Sequence, residues 1–217
     1  MSRCLVVRGG WDGHVPVEAT EVVIPGLVER GFEVIVAESL EVYDDLEILC
    51  KADVVLQCWS MGTVTDAQLE NVRTAVASGT GLAGWHGGIV DAFRVPGYLQ
   101  LVGGQFVAHP GDFVTYQVDI VPERAEHEIV AGLASFSVHT EQYWVLTDPL
   151  DDVLATTTLS GGPGTPWRRP VAVPAVWTRS WGLGRVFVCT VGHRVADLEQ
   201  PEILGLVERG IGWASRQ

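Results

Sequence analysis

DVVLQCWSMGTVTDAQLENVRTAVASGTGLAGWHGG, residues 53–88, reads as a strand, a capped helix and a second strand. The run from Asp53 to Cys58 is continuously apolar across Val54, Val55 and Leu56, so neither of its faces suits water. Such strands belong to parallel sheets covered on both sides. Thr65-Asp66-Ala67-Gln68 has the form of a capping box, in which the Thr65 hydroxyl and the Gln68 side chain satisfy free backbone N–H groups. Gly79 closes this helix at a left-handed position that favours glycine, and Gly81 to Trp85 begins the next strand.

The same alternation extends towards the N-terminus. Cys4 to Val7 reads as a strand, GGWDGH as a loop, Val15 to Arg30 as a helix, Phe32 to Ala37 as a strand and Tyr43 to Cys50 as a short helix. A β-α-β-α-β-α-β order predicts a doubly wound, mostly parallel sheet with helices on both faces over the first ninety residues or so. The second half is less regular. Phe113 to Val121 and Val153 to Thr158 read as strands, and Ala172 to Ser180 forms a hairpin with Arg185 to Val191 through Gly182-Leu183-Gly184. SGGPGTPWRRP between them is a loop, and Pro201 to Ala214 is a helix with Ile203, Leu206, Val207 and Ile211 on one face. This half is expected to extend the sheet and add an antiparallel hairpin or side layer, so that residues 1–217 form a single domain.

Composition narrows the function. A chain of 217 residues can bury roughly 70% of its unfolded surface without disulfides. Fourteen Lys plus Arg against 27 Asp plus Glu give a formal charge of -13, and Lys51 is the one lysine. Nucleic acid and anionic membrane bind through clustered cations, so neither is an expected partner. The opening MSRCLVVRGG is too short an apolar stretch for a secretory segment and no later window suits a membrane span, which reads as a soluble, cytoplasmic protein. Cys4, Cys50, Cys58 and Cys189 lack C-x-x-C spacing and read as buried, reduced thiols. Glycine, at 25 residues, is in excess.

In open α/β sheets, ligands bind beyond the carboxyl ends of the strands. There the first strand delivers Trp11, Asp12 and His14, the third Trp59 and Ser60, the fourth Trp85 and His86, and the last His193. Four segments thus aim three tryptophans and three histidines at one edge, where indole faces can form an apolar platform. GWHGG adds a specific geometry: a strand running through G-x-X-x-G into a helix makes a sharp turn that holds X in a strained, exposed position. Enzymes place Ser or Cys there, and here X is His86. It is a candidate general base, general acid or metal ligand, or else the remnant of a turn whose nucleophile was lost. None of the four cysteines occupies such a turn, which argues against a Cys-dependent glutaminase.

GWHGG (84–88), GGQFVAHP (103–110), EHEIVAGL (126–133), TEQY (140–143) and GLGRVFVCTVGH (182–193) occur in this order, with Trp213-Ala214 closing the last helix. The series resembles the ThuA-like (trehalose utilisation) family, within the class I glutamine amidotransferase-like superfamily, over nearly the whole chain. The resemblance implies a flavodoxin-like fold and a role in carbohydrate metabolism. It sets His86 at the position of the amidotransferase Cys and His193 near that of the triad His. The chain departs from the family where many members have D-E-x-Y, here Thr140-Glu141-Gln142-Tyr143, and where many have His-Pro, here His127-Glu128. The first departure is read as removing a carboxylate from the site, leaving Glu141 as the carboxylate and Tyr143 as a hydrogen-bond donor.

The expected site follows. His86, His193 and Glu141 are the catalytic candidates, and His14, Trp11, Asp12, Trp59, Trp85, His109 and Tyr143 the substrate-binding ones. His14, His86, His109, His193 and Glu141 could hold a divalent metal such as zinc, the alternative being a metal-free acid/base site. His127 and His139 read as structural. The leading function is a carbohydrate-processing enzyme, a hydrolase, lyase or isomerase acting on a neutral disaccharide or keto-sugar. The alternative is a noncatalytic sugar-binding or regulatory module. A small-molecule sugar is the expected partner, and homo-oligomer formation stays open.

Overall fold

The computed structural model describes residues 2–216; the single-domain reading reaches residues 1 and 217, which lie outside the described residues. Strand β1 (Ser2–Gly10) is longer than its apolar run and takes in both glycines of the following loop. Helix α1 (Pro16–Glu29) starts at a proline, whose missing N–H is unneeded in the first turn. Strand β2 (Phe32–Ala37) has the expected bounds. The single helix expected over 43–50 divides, because Asp45 leaves the 3-10 turn Leu40–Asp44 in an extended conformation and its carboxylate caps α2 (Leu46–Lys51) by accepting from the Ile48 N–H at 3.1 Å. Strand β3 (Val54–Ser60), helix α3 (Asp66–Ala77) and strand β4 (Gly81–Trp85) complete the unit first recognised in the sequence. Its capping box forms: Gln68 N–H donates to Thr65 Oγ1 at 3.1 Å and Thr65 N–H to Gln68 Oε1 at 3.0 Å.

Beyond β4 come α4 (Gly87–Val90), α5 (Pro96–Val102), β5 (Gly104–Ala108), β6 (Phe113–Ile120), β7 (Phe136–Glu141), β8 (Trp144–Thr147), β9 (Asp152–Leu159), β10 (Val171–Trp181), β11 (Gly184–Cys189), α6 (Val195–Leu198) and α7 (Pro201–Ala214). One nine-stranded sheet has the order β2-β1-β3-β4-β11-β10-β9-β6-β7. Its first five strands are parallel, and from β11 onward each neighbour is antiparallel. The expected hairpin, β10–β11, is therefore the joint between the halves: β11 pairs in parallel with β4 and in antiparallel with β10. The antiparallel strands continue the main sheet, and among the described residues only β5 and β8 pair separately, as a two-stranded sheet. Register shifts between Pro174 and Val176 and between Val176 and Trp177 interrupt the β10–β9 ladder.

Alternation along the strands sorts the core into two layers. Cys4, Val6, Val54, Leu56, Ala83 and Phe187 face α1 and α7, packing against Val23, Leu27, Leu206 and Ile211. Leu5, Val7, Val55, Leu82, Val186 and Val188 face α2, α3 and α5. Cys4, Cys58 and Cys189 are free and buried, and burial pushes their thiols up to about 12. Among the described residues no helix is long and apolar enough to cross a membrane.

Because the capping box satisfies two otherwise free backbone donors of α3, Thr65→Ala is expected to lower the unfolding free energy by about 1 kcal/mol. In urea denaturation this appears as a lower midpoint at unchanged slope.

Candidate functional site

The carboxyl ends of β1, β4 and β11 deliver His14, His86 and His193, and β7 ends in Glu141. One ligand atom from each of these four residues lies within 4.8 Å of the others. The three imidazoles meet edge to face, with centroids 4.9 to 5.2 Å apart. His14 approaches closely only because residue 87 is glycine: a Cβ there would lie 2.2 Å from His14 Cε1. Gly10, at φ +85, brings the end of β1 beside that of β3, where Trp11 N–H donates to the Ser60 carbonyl at 3.1 Å. Ser60 Oγ in turn lies 2.6 Å from His14 Nδ1, in a buried contact that orients the ring.

His86 sits at φ 49, ψ −143, the strained turn read from GWHGG. It is not exposed as that motif led us to expect: β11 and Tyr143 enclose it, leaving 2% of its surface accessible. Its N–H donates to the Cys189 carbonyl at 2.7 Å, and its Nδ1 lies 2.9 Å from the Thr190 carbonyl. A carbonyl only accepts, so Nδ1 carries the hydrogen and the other nitrogen of the neutral ring, Nε2, is bare. Nε2 points at two further electron-rich atoms, Glu141 Oε2 at 3.1 Å and His193 Nδ1 at 3.2 Å, which are themselves 3.3 Å apart. In the neutral cluster at most one hydrogen, on His193 Nδ1, serves these three atoms. Three imidazole nitrogens and a carboxylate with a shortage of hydrogens fit a divalent cation, and the donor set suits zinc.

Titration follows from this packing. Burial, and then the neighbouring His86 and His193, lower His14 to about 3. Burial likewise lowers His86, against the opposing hydrogen bonds of Glu141 and Thr190. Burial alone would raise Glu141, but the adjoining His193 and His86 outweigh it and hold the carboxyl well below the usual carboxylate range. Burial pushes the Tyr143 phenol far up, so it stays neutral.

The remaining expected residues divide by position. Tyr143 stacks on His86 at 4.0 Å. His109 stands outside the tight group, half-buried at its rim with Nε2 3.8 Å from Glu141 Oε1, and so is not among the residues whose atoms converge. Trp11 is 46% exposed, its ring nearly perpendicular to that of His14 at 4.8 Å between centroids, and Asp12 is exposed beside it. Trp59 is half-buried, its ring packed where Gly9 and Gly62 lack side chains. Trp85 is no platform: it shares the parity of Ala83, lies in the α1–α7 layer and is 2% exposed. Thr140 costs the site no carboxylate, since its hydroxyl donates at 2.6 Å to Asp197 while Glu141 turns to the histidines. His127 packs beside Trp213, and His139 bonds Thr115 on the edge strand, both apart from the four-residue group. Ser60 stands at the edge where the sequence set it, while the Thr190 carbonyl and Phe113, whose ring meets His193 at 5.3 Å, are site elements the sequence reading did not single out.

The ThuA family, described as trehalose utilisation, matches residues 3–214, and the chain belongs to it. A Bacteroides uniformis protein described as thua-like superposes with a TM-score of 0.77 at 18% identity, over 98% of this chain and 91% of that one. Another, from Parabacteroides merdae, gives 0.76 at 16% identity over 98% and 89%. A β-galactosidase from Bacillus circulans sp. alkalophilus gives 0.56 at 18% identity, over 95% of this chain but 31% of its own. At these identities the likeness is one of fold. No curated protein matches the chain.

The depressed His14 has a measurable consequence. Between its folded value of about 3 and the unfolded value of about 6.5, the folded protein binds fewer protons than the unfolded chain. Stability of the metal-free protein therefore falls as the pH drops from about 6.5 towards 3, less steeply in His14→Gln. NMR titration should find the His14 ring neutral down to at least about pH 5; a midpoint near 6.5 contradicts the packing described.

Proposed function

We propose that this ThuA-family chain is a carbohydrate-processing enzyme acting on a neutral disaccharide or keto-sugar at the His14–His86–Glu141–His193 cluster. The observation that carries the reading is the convergence of His86 Nε2, Glu141 Oε2 and His193 Nδ1 with one hydrogen to share. A buried convergence of this kind is expensive for a structural core and useful for moving protons or holding a cation. The family description, trehalose utilisation, supplies the substrate class, and the likeness to part of a β-galactosidase is in keeping with it. The class I glutamine amidotransferase-like relation belongs to the same reading. His86 takes the nucleophile's turn, and Cys4, Cys58 and Cys189 are buried with raised thiols, so glutaminase chemistry is not expected.

In this reading His14, His86, Glu141 and His193 hold a divalent cation, which when bound would polarise a substrate oxygen or lower the pKa of a water. The protein's own groups do the rest. The Thr190 carbonyl keeps the proton of His86 on Nδ1, so Nε2 stays directed at the reaction centre. Tyr143 covers the face of His86 and keeps water from it. Glu141, held ionised, supplies negative charge that balances positive charge gathered at the cluster. His193 retains some exposure where His86 has almost none, which makes it the better placed to pass a proton to or from a sugar hydroxyl. Trp11 at the rim offers an apolar face to the C–H surface of a sugar ring.

Elemental analysis of the purified protein should find close to one divalent ion per chain, with His86→Ala and Glu141→Gln lowering affinity by roughly 10- to 100-fold or more. A thermal-shift screen of mono- and disaccharides and their keto derivatives should identify a ligand, since saturation at 100 times Kd adds about 2.7 kcal/mol of stability. His86→Ala should then abolish turnover while sugar binding persists. Undiminished turnover in that variant sinks the catalytic reading, and full activity after complete chelation sinks the metal.

A further inference from the structure

A cleft of about 830 Å³ lies over the antiparallel end of the sheet, in the size range of ligand pockets, and the cluster chemistry makes no use of it. The β6–β7 register ties it to the site. Phe113 pairs with Glu141, Thr115 with His139 and Gln117 with Ser137, and paired residues share a sheet face. Phe113, Thr115, Gln117 and Asp119 thus continue the face on which Glu141 stands, and the last three line the cleft. At about 3.4 Å per residue, Thr115 and Gln117 lie about 7 and 14 Å along the strand from the Glu141 position. Three further links join the cleft to the site. Gln142, next to Glu141, and Pro110, next to His109, both line the cleft, and the lining Tyr116 donates its hydroxyl to the Glu141 carbonyl at 3.0 Å.

The lining identifies the ligand class. Thr115, Gln117, Gln142 and Thr158 supply uncharged donors and acceptors; among the described residues Asp119 is the lone charged group of the lining, and no Lys or Arg lines the cleft. A phosphate or carboxylate would find no cation in it. Trp167 lines the wall and is held there: its Nε1 donates to the Ser160 carbonyl at 3.0 Å, and Trp144 packs against it edge to face at 5.0 Å. Its loop is braced by Thr165, whose hydroxyl lies 2.7 Å from the Trp167 carbonyl and 3.0 Å from that of Gly162. A fixed indole above a floor of amides and hydroxyls is complementary to a neutral sugar ring, with its apolar face and ring of hydroxyls.

We propose that this cleft is the subsite for the second ring of a neutral disaccharide or longer saccharide whose reacting ring sits at Glu141 and His193. The proposal rests on the carbohydrate reading above and adds where the substrate extends and which residues select it. Calorimetric titration with trehalose, maltose and glucose, on the wild type and on Trp167→Ala, Trp167→Phe and Gln117→Ala, tests it. The wild type should bind at least one of the disaccharides about tenfold or more tightly than glucose. That ratio should fall about tenfold in Trp167→Ala, fall in Gln117→Ala and be largely kept in Trp167→Phe. Glucose binding without any disaccharide advantage, or a ratio insensitive to Trp167→Ala, overturns the subsite and leaves the carbohydrate reading standing. Failure of glucose and both disaccharides alike overturns the subsite, and the carbohydrate reading falls too if the keto derivatives also fail. Tighter binding of trehalose 6-phosphate than of trehalose overturns the assignment of a neutral ring.

Discussion

The candidate site hangs on one hydrogen bond, from His86 Nδ1 to the carbonyl of Thr190. That bond decides which nitrogen of a fully enclosed imidazole carries its hydrogen, and so which atom faces Glu141 and His193. Without it the ring could turn its other N–H to Glu141, and the excess of acceptors would disappear. The backbone of His86 is held from the same strand end, through the Cys189 carbonyl. A non-glycine residue at φ 49 costs about 1 to 3 kcal/mol, and two hydrogen bonds of about 1 kcal/mol each offset much of it. The strain survives because β11 fixes both the backbone and the ring.

Glu141 poses a separate geometric problem. It ends β7, five strands from β4 in the sheet order, and a flat sheet at about 4.8 Å per strand would set them about 24 Å apart. The carboxylate nevertheless reaches 3.1 Å from His86. The antiparallel end must curl back over the carboxyl edge of the parallel strands, and the irregularity in β10 around Pro174 to Trp177 is where the ladder gives way. The same curl makes one continuous surface of Phe113, Thr115 and Gln117 leading away from the cluster. The cluster's carboxylate and the cleft therefore come from a single feature of the second half.

How much of this could be read in the sequence depends on the range of the interaction. β2, β4 and α7 were legible to the residue because local signals bound them, and so was the α3 cap. His14, His86 and His193 were legible because strand ends in a parallel sheet share an edge whatever the register. Trp85 and Thr140 were misjudged by parity alone: each lies on the opposite face of its strand from the residue it was grouped with, or packs inward where a platform was expected. Strands β5 and β8, five and four residues long, pair only with each other, and nothing local marks them. The cleft was beyond reach for a related reason, since it exists only through the β6–β7 register and the curl.

Net charge can now be judged by location. At -13 the chain is expected to disfavour anionic ligands unless local arginines intervene, and Arg194 directly follows His193. Its guanidinium lies over the ring of Phe113, 4.6 Å from the centroid, donates to the His139 carbonyl at 2.6 Å and meets the buried Asp197 carboxylate at 3.0 Å. Releasing it to a substrate would strand Asp197, which also accepts from Thr140 and from the Arg194 N–H. Leaving such a buried carboxylate short of partners costs more than a rim contact to an anion returns. Arg168 and Arg169 follow Trp167 on the loop and do not line the cleft. Arg194 is thus committed to holding β7 against α6 rather than to a ligand at the rim.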